Sequence, residues 1–141
     1  MNILVTGGLG YLGSHAVVEL IQQNYGVVIL DNLSNSHKKN LKRIEKITCK
    51  KIKFYKEDIR HKSSLRKIFK DNNIEGIMHF AGLKSVKKSI SHRKEYFDVN
   101  VNGTRNLINV LNEIDCDEKL CLFSSSACVY GHPDYLPYNV T

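Results

Sequence analysis

The chain has no tryptophan, only two prolines and, in its 141 residues, no apolar run near the roughly 20 residues that a membrane-spanning helix needs. A membrane protein is therefore not expected. Strand-forming residues begin at Asn2 with no basic stretch before them, unlike a secretory leader, so a cytoplasmic location is the expectation. The four cysteines, Cys49, Cys116, Cys121 and Cys128, include no C-x-x-C pair and no histidines at zinc-ligand spacing. That argues against a structural metal site and for free structural thiols. The sequons at Asn32, Asn102 and Asn139 carry no meaning without secretion. An arginine-rich block with interleaved aromatics is also missing. The net charge of +7 comes largely from lysines between Lys38 and Lys70, spread through helical and strand patterns as on a solvated surface. Nucleic-acid binding is the less favoured reading of this charge, which would still attract an anionic nucleotide.

What is present is an ordinary globular composition, 42% hydrophobic and 25% charged, of a length that makes one domain with a proper core. Its organising stretch is the first thirteen residues. Asn2-Ile3-Leu4-Val5-Thr6 reads as a buried strand because it is apolar without polar alternation. Gly7-Gly8-Leu9-Gly10-Tyr11-Leu12-Gly13 follows without a gap, and Ser14 to Gln23 carries Ala16, Val17, Leu20 and Ile21 at helical spacing. The glycines thus sit where a strand ends and a helix begins. There the unpaired N–H groups and the positive dipole end suit an anion, typically a dinucleotide pyrophosphate. A second apolar run, Val27 to Leu30, ends in Asp31, eighteen positions after Gly13. A carboxylate at that place suits the adenosine ribose hydroxyls and repels a 2′-phosphate, which favours NAD over NADP.

The polar loop Asn32-Leu33-Ser34-Asn35-Ser36 could wrap the same ribose. Beyond it the pattern predicts a helix over Lys38–Ile47, a strand over Ile52–Tyr55, a helix over Ser63–Asp71 and a strand over Ile74–Phe80. A long helix is expected from His92 to Glu113, with Gly103 packed closely on the sheet, then a strand over Lys119–Phe123 and a loop over His132–Thr141. Asp58, just past the third strand, is placed to meet an adenine amino group with Ile59 packing on the ring; Asp58 could equally N-cap the next helix. Ala81 and Gly82 would let a cofactor lie along the backbone, and Lys84 at the same strand end would meet phosphate or ribose. Five such units make a doubly wound parallel sheet (a Rossmann arrangement) of order 3-2-1-4-5 with its switch point between the first and fourth strands. Gly10, Gly82 and Ser126 would then surround one site.

These motifs, together with Asp58-Ile59-Arg60, His79-Phe80-Ala81-Gly82-Leu83-Lys84, Asn102-Gly103-Thr104 and Ser124-Ser125-Ser126-Ala127-Cys128-Val129-Tyr130-Gly131, resemble the extended short-chain dehydrogenase/reductase family. Within it they are similar to the UDP-hexose 4-epimerases over nearly the whole chain. The resemblance implies a tightly held NAD that takes hydride from C4 of a UDP-sugar and returns it to the opposite face of a 4-keto intermediate, interconverting UDP-glucose and UDP-galactose. It places Gly7, Gly10 and Gly13 on the pyrophosphate, with backbone contacts from Tyr11 and Leu12. It also places Asp31 on the ribose, Asp58 and Ile59 on the adenine, and Phe80, Ala81, Gly82 and Lys84 along the cofactor. Ser126 would bond the reacting hydroxyl, and a homodimer would use the helix near Tyr96 to Leu111. Ala127-Cys128 stands where the family's sugar-nucleotide dehydratases carry an Asp-Glu pair, and two neutral residues cannot supply that acid–base chemistry.

The family's general base is the tyrosine of a Tyr-x-x-x-Lys pair, and no Tyr in this sequence is followed four residues later by Lys. The expectation is an incomplete NAD-binding domain over 1–141, the N-terminal part of an epimerase. Such a chain would be inactive alone and poorly stable at its exposed fifth strand. Val99 stands where some relatives carry an asparagine that reaches the cofactor, and the sequence leaves open whether Asn100 replaces it. The alternatives are another nucleotide-sugar or hydroxysteroid oxidoreductase of the same family, or a non-catalytic dinucleotide-binding protein.

Overall fold

A computed structural model describes residues 1–115 and 119–131. Cys116 and the loop expected over His132–Thr141, with its sequon at Asn139, lie outside them. Among the described residues the sheet has five strands in the order β3-β2-β1-β4-β5, all parallel. The strands are β1 Asn2–Thr6, β2 Gly26–Leu30, β3 Lys53–Tyr55, β4 Gly76–His79 and β5 Leu120–Phe123. The first three crossovers are the helices α1 Tyr11–Gln22, α2 Lys39–Thr48 and α3 Lys62–Asn72.

β1 is central, pairing Thr6 with Leu30 on one side and with His79 on the other. Its inner residues Ile3, Leu4 and Val5 are apolar in succession because both faces of the sheet are covered. Ile3 and Val5 enter one core with Val17 and Ile21 of α1 and Ile44 of α2, while Leu4 enters the other with Leu65, Ile68 and Phe69 of α3. The period of two along β2 does the same, sending Ile29 to the first core and Val28 and Leu30 to the second.

The expected long helix from His92 to Glu113 is not continuous. It consists of α5 Arg93–Phe97, a stretch of wider π-type turns over Asp98–Gly103, and α6 Thr104–Asn112. Apolar periodicity does not distinguish these turn types over so few residues, so the break is invisible in the pattern. A further helix, α4 Val86–Ser91, was not expected at all; it buries none of its residues and so leaves no periodic signal. Gly103 is closely packed, but on Ile59 rather than on a strand. A Cβ there would stand 2.6 Å from two side-chain carbons of Ile59. Ile59 itself is only 3% exposed and belongs to the core beneath α6.

β5 pairs with β4 alone among the described residues, and all four of its residues are exposed, Phe123 by 54%. Cys49, Cys121 and Cys128 are unpaired and lie at the surface, so they are not core-packing thiols. No helix among the described residues is long and apolar enough to cross a membrane.

Candidate functional site

The turn between β1 and α1 is built by close approaches that exclude side chains. A Cβ on Gly7 would lie 2.7 Å from the Ala81 backbone nitrogen, and Gly7 has φ of +67°. On Gly13 it would lie 2.2 Å from the Gly7 carbonyl oxygen. The first turn of α1 therefore folds tightly back against the strand end. Gly10 supplies no side-chain cap and the first turn carries no acidic residue, so its N–H groups and dipole remain available to an anion.

Asp31 ties this turn to the next loop. Its Oδ2 accepts from the Leu9 N–H (3.0 Å), and its Oδ1 accepts from the Leu33 N–H (2.9 Å) and the Ser36 hydroxyl (2.8 Å). A carboxylate offers about four acceptor positions, so one on Oδ2 stays open. Asn40 completes the tie by donating to the Leu9 carbonyl at 2.9 Å.

Asp58 does not N-cap α3, whose N-cap is His61. Its carboxylate instead accepts from Asn32 Nδ2 (3.0 Å), from the Arg60 N–H (2.9 Å) and from Arg60 Nε and Nη2 (3.0 and 2.9 Å). The Arg60 guanidinium, which also reaches Asp98 at 3.3 Å, holds the Asp58 carboxyl well below the usual carboxylate range. Four donors thus meet this carboxylate, and among the described residues Asn32 is the only one of them not drawn from Arg60.

Gly7, Gly10, Tyr11, Leu12, Gly13, Asp31, Asn32, Ser34, Asn35, Ser36, Asp58, Ile59, Phe80, Ala81, Gly82 and Lys84 all line one cleft of about 770 Å³ at the carboxyl ends of the strands. Ile59 contributes little side chain to it, being buried. Ser126 is not brought there. It accepts from the Cys128 N–H at 3.3 Å and caps the short helical turn Ala127–Tyr130 beyond β5. Sequence reasoning missed Arg60, Lys88, His92 and Tyr96, which also line the cleft. The four-residue spacing of Lys84, Lys88, His92 and Tyr96 was the signal available.

Asn100 does not face the cleft as a substitute at Val99. Its amide is spent on the Leu83 backbone, accepting from the N–H (2.8 Å) and donating to the C=O (2.9 Å), while Val99 lines the cleft. Below the cleft, His79 is 3% exposed. Thr104 Oγ1 donates its proton to the Asn100 carbonyl (2.7 Å), so it can only accept from His79 Nε2 (2.9 Å). His79 Nδ1 then accepts from the Thr6 hydroxyl at 2.6 Å. Burial, and after it the charge of Lys84, push this imidazole down to about 4.

A family model described as the NAD dependent epimerase/dehydratase family matches residues 3–140. This chain belongs to that family. It is 49% identical over 137 residues to the UDP-glucose 4-epimerase of Pasteurella multocida, covering 97% of this chain and 40% of the relative. It is 45% identical to one from Klebsiella pneumoniae, covering 98% of both. Among solved structures it resembles a UDP-glucose 4-epimerase of Stenotrophomonas maltophila with bound NAD and formylated UDP-arabinopyranose (TM-score 0.91, 44% identity, 98% of this chain and 40% of that one). It also resembles that of Bifidobacterium longum with NAD+ and UDP (TM-score 0.90, 40% identity, 98% and 41%). The chain thus spans about 40% of the length of the first relatives it matches.

The low pKa of His79 has a stability consequence of definite sign. Between its ordinary value of 6.5 and about 4, the unfolded chain binds a proton that the folded chain does not. Stability therefore falls as pH falls through this window, by about 3 kcal/mol in all, and the loss levels off below it. Asp58 adds its own loss only below 3.8. Urea midpoints at pH 7 and pH 4.5 should fall steeply in the unsubstituted chain and less so in His79→Gln. An imidazole resonance of His79 titrating near 6.5 would refute the assignment.

Proposed function

We propose that residues 1–141 are the NAD-binding domain of a cytoplasmic UDP-hexose 4-epimerase, interconverting UDP-glucose and UDP-galactose through a 4-keto sugar in galactose metabolism. The observation that carries this reading is the cleft, whose lining fits a dinucleotide at three separate points. The glycine turn leaves the backbone N–H groups of the first turn of α1 uncapped beside the cleft, where a pyrophosphate can meet them. The open acceptor position on Asp31 suits a ribose hydroxyl, and its charge disfavours a 2′-phosphate. Lys84 lines the same cleft, with no hydrogen bond or ion pair among the described residues. The relatives with bound NAD support the same reading.

In this proposal Gly7, Gly10, Tyr11, Leu12 and Gly13 take the pyrophosphate. Asp31, Asn32, Ser34, Asn35 and Ser36 enclose the adenosine ribose. Asp58 receives the adenine amino group in place of Asn32, the donor most easily exchanged, and Ile59 supports the ring from below. Phe80, Ala81 and Gly82 lie along the cofactor, and Lys84 bonds the nicotinamide-side ribose. NAD, when bound, supplies a hydride acceptor for C4 of the hexose and later its donor. Ser126 lies outside the lining of the cofactor cleft, but its Oγ only accepts from the Cys128 N–H and keeps its proton to donate to the reacting hydroxyl of a sugar held beside that cleft. The proton is moved by the tyrosine base of a Tyr-x-x-x-Lys pair, which is not among these 141 residues. Phe97 of α5, Val101 of the π-type stretch and Ile108 of α6, exposed by 59%, 44% and 43%, supply a homodimer surface.

Three measurements test these statements. Replacing Asp31 by Ala should weaken NAD by about 10- to 100-fold, the worth of a charge-assisted hydrogen bond, and NADP much less. Equal losses for the two would contradict the ribose role. Residues 1–141 should bind NAD yet convert no UDP-galactose to UDP-glucose; turnover above the uncatalysed rate would remove the need for the missing base. In sedimentation, Val101→Glu should shift a dimer to monomer, and a monomeric parent chain would exclude this surface.

A further inference from the structure

We infer that Asn100 and Tyr96 are positioning residues for Lys84, clamping the peptide units on either side of it. The loop from Phe80 to Ser85 belongs to no strand or helix. Its ends are held, the Phe80 N–H donating to the Thr6 carbonyl and the Ser85 carbonyl accepting from the Ser89 N–H of α4, while the backbone groups of Leu83 are met by a side chain. Asn100 meets both groups of Leu83, its Oδ1 accepting from the N–H at 2.8 Å and its Nδ2 donating to the C=O at 2.9 Å. The Tyr96 hydroxyl meets both groups of Ser85, accepting from the N–H at 3.1 Å and donating to the C=O at 2.9 Å. Residue 84 is the single residue between these two doubly bonded peptides, and its side chain is exposed on the cleft.

The clamps are themselves fixed. Tyr96 and Asn100 are one helical turn apart and present to the same side. Asn100 lies in the π-type stretch, whose last residue, Gly103, sits against Ile59. Its carbonyl accepts from Thr104, which in turn accepts from the buried His79. The loop is thus referenced to β4 twice, once along the chain from His79 and once through the helix. A flexible lysine reaches a ligand efficiently only if its backbone is held, since its side chain already loses rotamer freedom on binding.

The inference rests on the proposed bond from Lys84 to the cofactor and is tested so that the two can fail separately. NAD and ADP are titrated by calorimetry into the 141-residue chain and into Lys84→Ala, Asn100→Ala and the double variant. Lys84→Ala should weaken NAD by about tenfold or more, as expected for a lost hydrogen bond from a charged group. Asn100→Ala should cost a comparable factor and the double variant no more than either. ADP, which reaches only the glycine turn and Asp31, should bind all four within about twofold. Asn100→Asp, which keeps the acceptor for the Leu83 N–H, should recover part of the NAD affinity. Amide exchange without ligand should accelerate at Leu83 in Asn100→Ala and at Ser85 in Tyr96→Phe.

Losses that multiply in the double variant, or an Asn100→Ala chain that binds NAD as the parent does, overturn the positioning role while leaving the NAD reading intact. NAD binding indifferent to Lys84→Ala removes the lysine contact and the positioning role with it. A parent chain that binds neither nucleotide overturns both readings.

Discussion

The approach of Gly7 to the Ala81 peptide is the constraint on which the site depends. β1 is the central strand, and its neighbours β2 and β4 lead away in opposite directions, so the ends of β1 and β4 define a crevice. The chain leaving β1 must turn at once into α1 beside the chain leaving β4. With a Cβ only 2.7 Å from Ala81 nitrogen, any side chain at Gly7 would force the two strand ends apart. At Gly13 a side chain would push the first turn of α1 away from the Gly7 carbonyl. Separating these segments would widen the crevice and tilt the helix N-terminus, and both features decide whether a pyrophosphate meets N–H groups or water. The glycines are therefore a packing requirement first, and the anion site follows from the packing.

Asp31 extends the same logic to the next strand. Its carboxylate accepts from one N–H in the glycine loop and from two donors in the loop after β2, so it organises the cleft wall even where nothing is bound. Charge-assisted bonds of this type are worth roughly twice their neutral equivalents. The residue that would select a ribose thus also determines the shape of the loops around it. Asp58 differs: its partner Arg60 is two residues away and neutralises it locally, leaving much less net charge to act on a ligand.

Much of this architecture was legible in the residues. The apolar runs at Ile3, Val27 and Ile77 contain no polar alternation because helices cover both sheet faces, and their alternation with helical patterns implied a parallel sheet. The glycine spacing followed by Asp31 located the cleft, since a tight turn and a carboxylate at the next strand end leave a signature in residue type. What escaped notice has no such signature. α4 is short and buries nothing, and the π-type turns over Asp98–Gly103 preserve an apparently helical pattern. The mutual bonding of Asn100 and Leu83, or of Tyr96 and Ser85, joins residues 17 and 11 positions apart; no periodicity records such a pair. Ser126 follows from strand order and from the family motif together, and neither records that its Oγ accepts from the Cys128 N–H and caps the turn after β5.

The helical segment after α4 is attached to the cleft by hydrogen bonds where it meets the loop and by apolar packing where it meets the sheet. Leu107, Val110 and Leu111 are almost fully buried, and this half would tolerate small adjustments of position, because dispersion and the hydrophobic effect are not directional. The Tyr96 and Asn100 half would not, since an amide or hydroxyl displaced by an ångström loses its bond. The neutral His79 joins the two halves: it is buried as an apolar group would be, yet both ring nitrogens are satisfied, by Thr6 on β1 and Thr104 on α6. Protonating it would give Nδ1 a hydrogen to donate, and the Thr6 hydroxyl would have to turn to accept it, inside a core that solvates the charge poorly. Keeping this imidazole neutral therefore keeps the helix in register with the strand ends, and with it the loop that carries Lys84.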